Sequence, residues 1–238
     1  MNPETFSLGE KLHYYHRFLR YWWRTEPDTV RFIKEEFDRG GFALDIGANK
    51  GIVTYFLGKQ AGPDGKVIAF EPQPEMRAQI EKVINTFDLK NVEIHSVALS
   101  NTNEKATLFR GKPGATANLV AGGSWQTDEV EVETRTLDSY ISEAGLEKID
   151  FVKCDVDGYE TQVLEGAEKL LTQYSPKVLV EISEPLVPRI EEILKKYGYD
   201  QAEFWYKGER YPIEKTKEIG YRHPNAKWRN FLFTKSKS

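Results

Sequence analysis

Two short segments hold the residues most able to do chemistry. Phe42–Gly51 begins as a short apolar run with one acid, Asp45, and continues into a turn that contains Gly47 and Gly51. Val67–Pro72 is a second apolar run, and it ends in Glu71, 20 residues after Gly51. Glycines let a backbone approach a ligand closely, and an acid after the second strand can accept hydrogen bonds from ribose hydroxyls. The pattern indicates a site for a nucleoside-bearing ligand at the carboxyl ends of parallel strands.

The glycine spacing distinguishes two kinds of cofactor. Gly47 and Gly51 form Gly-x-x-x-Gly rather than the Gly-x-Gly-x-x-Gly of dinucleotide sites, and Asp45 precedes them. A carboxylate there disfavours a pyrophosphate but suits a ligand with an amino group and a sulfonium, which indicates S-adenosylmethionine. The alternatives are an NAD-dependent oxidoreductase, a non-catalytic cofactor-binding protein, or a helix-capping turn without a ligand. The expected cofactor contacts in these segments are Asp45, Gly47, Asn49, Gly51, Glu71 and Pro72.

Composition is ordinary for a globular α/β protein with a short extension. The 238 residues are 39% hydrophobic and 29% charged, and the net charge of -4 gives no general attraction to nucleic acid or anionic membrane. No apolar run approaches the ~18 residues of a membrane helix, and the start of the chain lacks a secretory signal pattern. Cys154 is the single cysteine, which fits a reducing cytoplasm. We therefore expect a cytoplasmic protein without a membrane span.

Hydrophobic periodicity predicts alternating strands and helices. Such alternation is typical of a Rossmann-like, doubly wound and mostly parallel sheet. Two C-terminal strands, at about 201–206 and 228–234, are expected to form an antiparallel edge, with a surface loop at 207–227 between them. The other predicted strands are 42–46, 66–70, 92–97, 149–154 and 177–182, with helices that begin near Gly51, Pro74, Gly158 and Pro185.

Residues 1–40 are predicted to form a helical extension, or lid, on a domain of residues 41–238. Within 7–24, an amphipathic helix is indicated by Leu8, Leu12, Tyr15, Leu19 and Trp22, which share one face. A second helix from Pro27 is expected to turn Val30, Ile33 and Phe37 inward. The aromatic residues at 14–23 could bind a sugar, but packing on the sheet with half-exposed rings is the preferred interpretation.

A glycine-rich segment at 111–128 interrupts the alternation, between strand-like residues 105–109 and 129–134 that would form a hairpin. Long loops inside a compact domain are usually functional or disordered. We expect an acceptor pocket here, although a solvated loop of no consequence fits the pattern equally well. The candidate acceptor residues are Asn118, Ser124 and Trp125, with Tyr14 or Trp22 opposite.

The ordered motifs resemble those of the FkbM family of S-adenosylmethionine-dependent methyltransferases. Leu44–Gly51 and Ala69–Pro72 resemble its first two motifs, and Ser96–Asn101 resembles the segment that closes over the adenine. Thr136–Asp138 followed by Ile149–Glu160 resembles its Lys-Ile-Asp-Val-Glu-Gly-x-Glu signature, with Cys154 in place of an aliphatic residue and Asp157 in place of Glu. Val163–Ala167 and Val178–Glu181 follow in the same order. The resemblance spans about residues 42–183 and implies a class I methyltransferase fold, with Ala98 and Leu99 as further cofactor contacts.

The resemblance implies O-methylation of a hydroxyl on a small molecule or glycan. A hydroxyl is a poor nucleophile, so a base or a metal should help to remove its proton. Asp155 follows an apolar strand and is expected to face the ligand cleft, in contact with the cofactor or the reacting groups. Asp155, Asp157 and Glu181 are candidates for the base, and their oxygens would also suit Mg²⁺.

Helix capping is the structural alternative for these acids, and Asp157 fits a cap on the helix near Gly158 better than Asp155 does. His95 is interpreted as a core residue of a strand, and no two histidines have the spacing of a zinc site. The sequence leaves open the acceptor, metal dependence, oligomeric state and the choice of general base.

Overall fold

The computed structural model describes residues 5–111, 117–119, 127–219 and 228–236. The chain divides into two compact units, Met1–Ser96 and Val97–Ser238. Residues 5–40 therefore share a unit with the first predicted strands, and the expected boundary at residue 40 stays a prediction. Within the described ranges, none of the helices has both the length and the apolar character that a membrane crossing requires.

The first unit contains a parallel three-stranded sheet. Strands β1 (Phe42–Ile46) and β3 (Val92–His95) flank β2 (Lys66–Phe70), and all three run in the same direction. Helix α3 (Ile52–Ala61) joins β1 to β2, and α4 (Pro74–Thr86) joins β2 to β3. Four of the five residues in β1 and in β2 are buried, as the predicted apolar runs require. Because the strands are parallel, the turns that follow β1 and β2 lie at the same edge of the sheet.

Two N-terminal helices, α1 (Leu8–Arg20) and α2 (Pro27–Glu36), precede this sheet, joined by a π-helical turn at Tyr21–Thr25. In α2 and just after it, Val30, Ile33 and Phe37 are buried as predicted. In α1 the buried residues are Tyr14 and Phe18. The predicted apolar face of α1, which begins at Leu8, is instead the exposed one.

The main sheet of the second unit mixes parallel and antiparallel strands. Strands β8 (Phe151–Cys154) and β9 (Lys177–Ser183) are parallel, and β12 (Trp228–Thr234) lies antiparallel to β9. Next come β10 (Gln201–Tyr206) and β11 (Glu209–Pro212), both antiparallel to their neighbours. The predicted antiparallel C-terminal edge is confirmed. The predicted loop at 207–227 is wrong in its first part, because β11 forms the edge strand there.

A smaller sheet in the second unit has the strand order β4-β7-β5-β6. It contains β4 (Ala98–Leu99), β5 (Glu104–Arg110), β6 (Ala117–Asn118) and β7 (Asp128–Arg135). The predicted hairpin of 105–109 with 129–134 is confirmed by the antiparallel pairing of β5 with β7. The predicted strand 92–97 is too long, because β3 ends at His95 and the next strand belongs to this smaller sheet.

Among the described residues of the second unit, four α-helices alternate with these strands. They are α5 (Leu137–Ala144), α6 (Glu160–Glu165), α7 (Val187–Lys196) and α8 (Thr216–Ile219). The helix expected near Gly158 begins at Glu160, and the one expected near Pro185 begins with a 3-10 turn at Glu184–Leu186. Helix α7 buries Ile190, Ile193 and Leu194 and leaves its charged residues outward.

Candidate functional site

The turn after β1 is held against the end of β2. The backbone N–H groups of Gly47 and Ala48 both donate to the carbonyl oxygen of Phe70, at 3.1 Å each. Gly47, Asn49 and Gly51 all have positive φ, between 48° and 79°. Glycine adopts this left-handed backbone without steric cost, and Asn tolerates it better than most residues, which explains the residue types in the turn. The turn therefore has a fixed shape at the start of α3.

Glu71 links this turn to the turn after β2. Its Oε2 accepts a hydrogen bond from the backbone N–H of Asn49 at 2.8 Å. Its Oε1 accepts bonds from the backbone N–H and the side-chain amide of Gln73, at 3.0 and 3.3 Å. The carboxylate is only 3% exposed. A carboxylate has about four acceptor positions, so these three bonds leave capacity for a ligand donor.

A second buried carboxylate, Asp45, stands near Glu71. It is 2% exposed, and its Oδ2 accepts a hydrogen bond from the hydroxyl of Thr54 at 2.5 Å. Burial raises the pKa of Glu71, the bonds from Gln73 and Asn49 oppose this, and the charge of Asp45 raises it further. Two carboxylates in a desolvated region favour a cationic ligand, because such a ligand compensates their charge.

In the second unit, Asp155 and Glu181 come together. Cys154 pairs with Val180 at the end of the parallel ladder, so the next residues along each strand are neighbours. A carboxylate oxygen of Asp155 lies within 4.8 Å of one from Glu181, and both side chains are half-buried. As predicted, Asp155 directly follows the strand that ends at Cys154, and Glu181 lies within the strand predicted at 177–182, which is β9. Their catalytic roles stay predictions.

Lys153 is a residue of this cluster that the sequence reasoning did not select. Its side chain is 1% exposed, and its Nζ lies 3.2 Å from Oδ2 of Asp155. Residues two apart in a strand face the same side, which brings Lys153 and Asp155 together. The available signal was a lysine inside an otherwise apolar strand, since buried lysines are rare without a partner.

The turn after Asp155 corrects one prediction. Asp157 does not cap α6, whose N-cap residue is Tyr159 without a side-chain cap bond. Instead, the Oε1 of Glu160 accepts bonds from the N–H groups of Val156 and Gly158, at 3.2 and 3.0 Å. Asp157 has φ of +53°. Asp tolerates this left-handed conformation better than Glu, which gives a physical reason for the departure from the family signature.

Glu160 is fully buried in this turn. Burial raises the pKa of Glu160, the N–H groups of Gly158 and Val156 oppose the increase, and the charge of Asp155 adds to it. Its Oε2 has no hydrogen-bond partner among the described residues. A protonated carboxyl group is easier to accommodate there than a carboxylate.

The segment that contains Ala98 and Leu99 is fixed by its neighbours in the second unit. Both residues are buried and pair with Thr134 and Arg135 of β7. Gly166, at the end of α6, packs against the backbone of Ser100, and a Cβ at this position would overlap the Ser100 carbonyl oxygen. The glycine of the Val163–Ala167 motif is therefore required by a close approach of two backbones.

The candidate acceptor residues have different placements. Tyr14 is buried, with its ring stacked on Phe6 at 4.3 Å. Trp22 is 37% exposed, and the Nζ of Lys34 lies 3.2 Å from its ring centre. Asn118 is in β6, whereas Ser124 and Trp125 lie outside the described residues. Their acceptor roles stay predictions.

Two further aromatic residues bear on the site predictions. His95 was interpreted as a core residue, but it is only half-buried at the end of β3, beside Phe70. Trp228 was not selected from the sequence. It begins β12, is 38% exposed, and has its ring next to Gly158 in the turn after Asp155. The signal for Trp228 would have been an aromatic residue at the first position of a predicted strand.

One of the acids expected to bind Mg²⁺, Asp155, lies next to the ammonium group of Lys153. The oxygens of Asp155 and Glu181 are suitable Mg²⁺ ligands, and the buried Oδ1 of Asn230 has no hydrogen-bond partner among the described residues. Asn230 pairs with Glu181 across β9 and β12. However, Lys153 already places an ammonium group next to Asp155. The expected role of Mg²⁺ stays a prediction.

Comparison with solved structures identifies the fold. A structure described as methyltransferase FkbM from Methylobacillus flagellatus aligns with a TM-score of 0.56 and 16% identity, over 90% of this chain and 49% of that one. A SAM-dependent O-methyltransferase from Thermotoga maritima aligns with a TM-score of 0.52 and 14% identity, over 90% of this chain and 66% of that one. The predicted Rossmann-like α/β fold is confirmed, and it is the fold of class I methyltransferases.

Sequence comparison gives the family. The model of the methyltransferase FkbM domain matches residues 45–200, and the chain belongs to that family. The 2-O-methyltransferase NoeI of Sinorhizobium fredii is 31% identical over 166 residues, which cover 60% of this chain and 67% of NoeI. The hexuronic acid methyltransferase AglP of Haloferax volcanii is 24% identical over 169 residues, 70% of this chain and 66% of AglP. The chain is therefore a methyltransferase, as the resemblance implied.

Proposed function

We propose that this methyltransferase transfers the methyl group of S-adenosylmethionine to a hydroxyl oxygen of a small molecule or glycan. The observation that carries the cofactor assignment is the buried pair Asp45 and Glu71 beside a turn with fixed left-handed backbone. S-adenosylmethionine carries a sulfonium and an ammonium group, so its charge offsets the buried negative charge. An NAD pyrophosphate would add negative charge next to Asp45, which disfavours the oxidoreductase.

The proposed cofactor contacts follow from the same turn. The backbone of Gly47, Asn49 and Gly51 receives the methionine part, and Glu71 accepts hydrogen bonds from the ribose hydroxyls. Glu71 retains acceptor capacity beyond its bonds to Asn49 and Gln73, which supports this role. Pro72, Ala98 and Leu99 supply apolar contacts to the remainder of the cofactor.

The chemical step is an in-line displacement at the methyl carbon. The acceptor oxygen forms a bond to the methyl group as the carbon–sulfur bond breaks, and the hydroxyl proton passes to a carboxylate. We assign that proton to Asp155, with Glu181 beside it and Lys153 holding the Asp155 carboxylate in place. Orientation of the two substrates supplies much of the rate, up to roughly 7–11 kcal/mol.

The acceptor class is supported by the relatives and by one aromatic residue. The names of NoeI and AglP state 2-O-methylation and a hexuronic acid as acceptor. Trp228 offers a half-exposed indole beside the turn after Asp155, and a flat aromatic ring suits the apolar face of a sugar. The net charge of -4 supports a small acceptor over nucleic acid, and the use of a single cysteine, Cys154, supports a cytoplasmic location.

Two measurements test this function. Calorimetry with S-adenosylhomocysteine and with NAD should give binding for the first only. Incubation with methyl-labelled S-adenosylmethionine and a panel of sugars, uronic acids and other hydroxylated compounds should then label at least one acceptor. Saturable S-adenosylhomocysteine binding without turnover on a broad panel would favour the non-catalytic cofactor-binding protein. Chelation by EDTA should leave turnover intact, because Lys153 occupies the position next to Asp155; loss of activity, with recovery on Mg²⁺ addition, would reveal a metal role.

A further inference from the structure

Helix α1 carries an apolar stripe on its solvent side. The stripe consists of Leu8, Leu12, Tyr15, Leu19 and Trp23, and we call it the exposed stripe. The first four residues follow spacings of four, three and four, which place them on one helix face. Their exposed fractions are 76, 60, 44 and 56%, and that of Trp23 is 73%. Single exposed apolar residues are common, but a contiguous row of large ones marks an interaction surface.

The two buried residues of α1 lie on a different face from most of the exposed stripe. Tyr14 and Phe18, on a different face, are each only 4% exposed. The Phe18 ring stacks on Tyr55 of α3 at 3.8 Å and meets Phe87 edge to face at 5.0 Å. Within the stripe, Tyr15 adds an edge-to-face contact with Phe87 at 5.2 Å. Leu8, Leu12, Leu19 and Trp23 remain 56–76% exposed and available for a partner.

Basic residues border the exposed stripe. On a helical wheel, Lys11 lies on one side of it and His16 and Arg20 lie on the other. Helix α1 contains three Lys or Arg residues but one acid, Glu10. The Glu10 carboxylate accepts hydrogen bonds from Ser7 in a capping box. This helix is locally basic although the whole chain has a net charge of -4. The partner should thus be both apolar and negatively charged.

We propose that α1 and the following π-helical turn dock on an anionic lipid bilayer. An amphipathic helix with basic borders lies in the interface with its apolar face roughly 5–10 Å deep, and an exposed tryptophan suits the headgroup region. A second copy of this chain is a poorer partner. Symmetric packing of two stripes would bring identical basic borders together, with one acid from each α1 to balance them.

The test uses the full chain and vesicles of two compositions, phosphatidylcholine alone and phosphatidylcholine with phosphatidylglycerol. The wild type should sediment with the anionic vesicles, less so at high salt, and not with the neutral ones. The variant L12Q/L19Q should lower the partition coefficient at least about tenfold, because glutamine keeps the helix but removes apolar contact. The variant K11Q/R20Q should lower it by a similar factor.

The double variant K195Q/K196Q, which removes two exposed charges from α7 in the other unit, serves as the matched control and should bind like the wild type. Unchanged circular dichroism melting would show that each variant is folded. Analytical ultracentrifugation without lipid addresses the second copy. The proposal is overturned if the wild type fails to bind anionic vesicles, or if L12Q/L19Q abolishes a dimer while leaving vesicle binding unchanged.

Discussion

Lys153 Nζ lies 3.2 Å from Oδ2 of Asp155, and the lysine side chain is almost completely buried while the aspartate is 28% exposed. The lysine thus lies inside the sheet, and its partner Asp155 lies at the carboxyl end of β8. A buried ammonium group is costly without an opposite charge nearby, and the Asp155 carboxylate supplies that partner. The catalytic role proposed for Asp155 consequently depends on a residue that does not itself need to touch substrate.

Asp155→Asn should lower turnover at least about 100-fold, because the amide cannot accept the acceptor proton. Affinity for S-adenosylhomocysteine should stay within about twofold. Labelled methyl transfer and calorimetry measure the two quantities. Near-normal turnover would leave Asp155 with a structural role only.

The lysine adds a stability prediction. Asp155→Asn leaves the buried ammonium of Lys153 without its ionised partner and should cost roughly 1–3 kcal/mol of unfolding free energy. The double variant K153M/D155N should recover most of this loss, because methionine fills a similar volume without a charge. Denaturant unfolding of the single and double variants measures the coupling. Additive losses would show that the two side chains do not interact in solution.

Much of this arrangement could be predicted from sequence. The apolar runs that contain or precede Asp45, Glu71 and Glu181 indicated strands, and their alternation with helices indicated a mostly parallel sheet. The register of β8 with β9, which brings Glu181 near Asp155, comes from the structure. These predictions depend on local pattern and on the geometry that all parallel sheets share.

Other features depend on tertiary packing, which one sequence does not display. The face of α1 that contains Leu8 has the stronger apolar period, yet Phe18 is the buried residue because Tyr55 and Phe87 offer it a matching aromatic surface. Likewise, Asp157 is a better helix cap by residue type, but the carboxylate of Glu160 reaches the same turn from inside the fold. Long-range contacts decided the first case, and the buried Glu160, two and four residues from its partners, decided the second.

Glu71→Ala should weaken S-adenosylhomocysteine binding by roughly 1–3 kcal/mol, because both the ribose acceptor and the bond to Asn49 are lost. Burial raises the pKa of Glu71, so binding to the wild type should also weaken as pH falls through that raised pKa, where the carboxylate is protonated. Calorimetry at several pH values measures both effects. Asp64→Asn, an exposed acid in the same unit, is the control; equal affinities for all three proteins would remove Glu71 from the cofactor site.

Gly166→Ala should disturb the segment proposed to contact the adenine, because its Cβ would overlap the carbonyl oxygen of Ser100. We expect a loss of about 1–3 kcal/mol in stability and weaker S-adenosylhomocysteine binding. Gly9→Ala in α1, where no atom lies within 4 Å of the added Cβ, should leave both unchanged or slightly stabilise the helix. Thermal melting and calorimetry distinguish the variants. A Gly166→Ala protein with wild-type values would show that the two backbones are further apart in solution.

Glu160 gives a pH-dependent prediction for stability. Burial holds the pKa of Glu160 above its usual value near 4.5, so the folded chain binds its proton more tightly than the unfolded chain. The unfolding free energy should therefore fall as pH rises from about 4.5 through the raised pKa. Glu160→Gln should reduce this fall in unfolding free energy. The buried Glu71 should account for part of the fall that remains. Glu168→Gln, on the surface, should leave the fall unchanged. Denaturant unfolding across this pH range measures the slope, and an unchanged slope in Glu160→Gln would contradict the assignment.

Trp228→Ala should raise the KM for the acceptor by up to about tenfold, with smaller changes in kcat and in S-adenosylhomocysteine affinity. The reason is that the indole, 38% exposed beside Gly158, is proposed to pack against the acceptor rather than the cofactor. Trp228→Phe keeps an aromatic face and should recover much of the loss. Trp23→Ala, a tryptophan of the other unit, is the matched control and should leave the KM for a water-soluble acceptor unchanged. If the KM of Trp228→Ala equals that of the wild type, the acceptor is bound elsewhere, and the 111–128 segment becomes the next target for substitution.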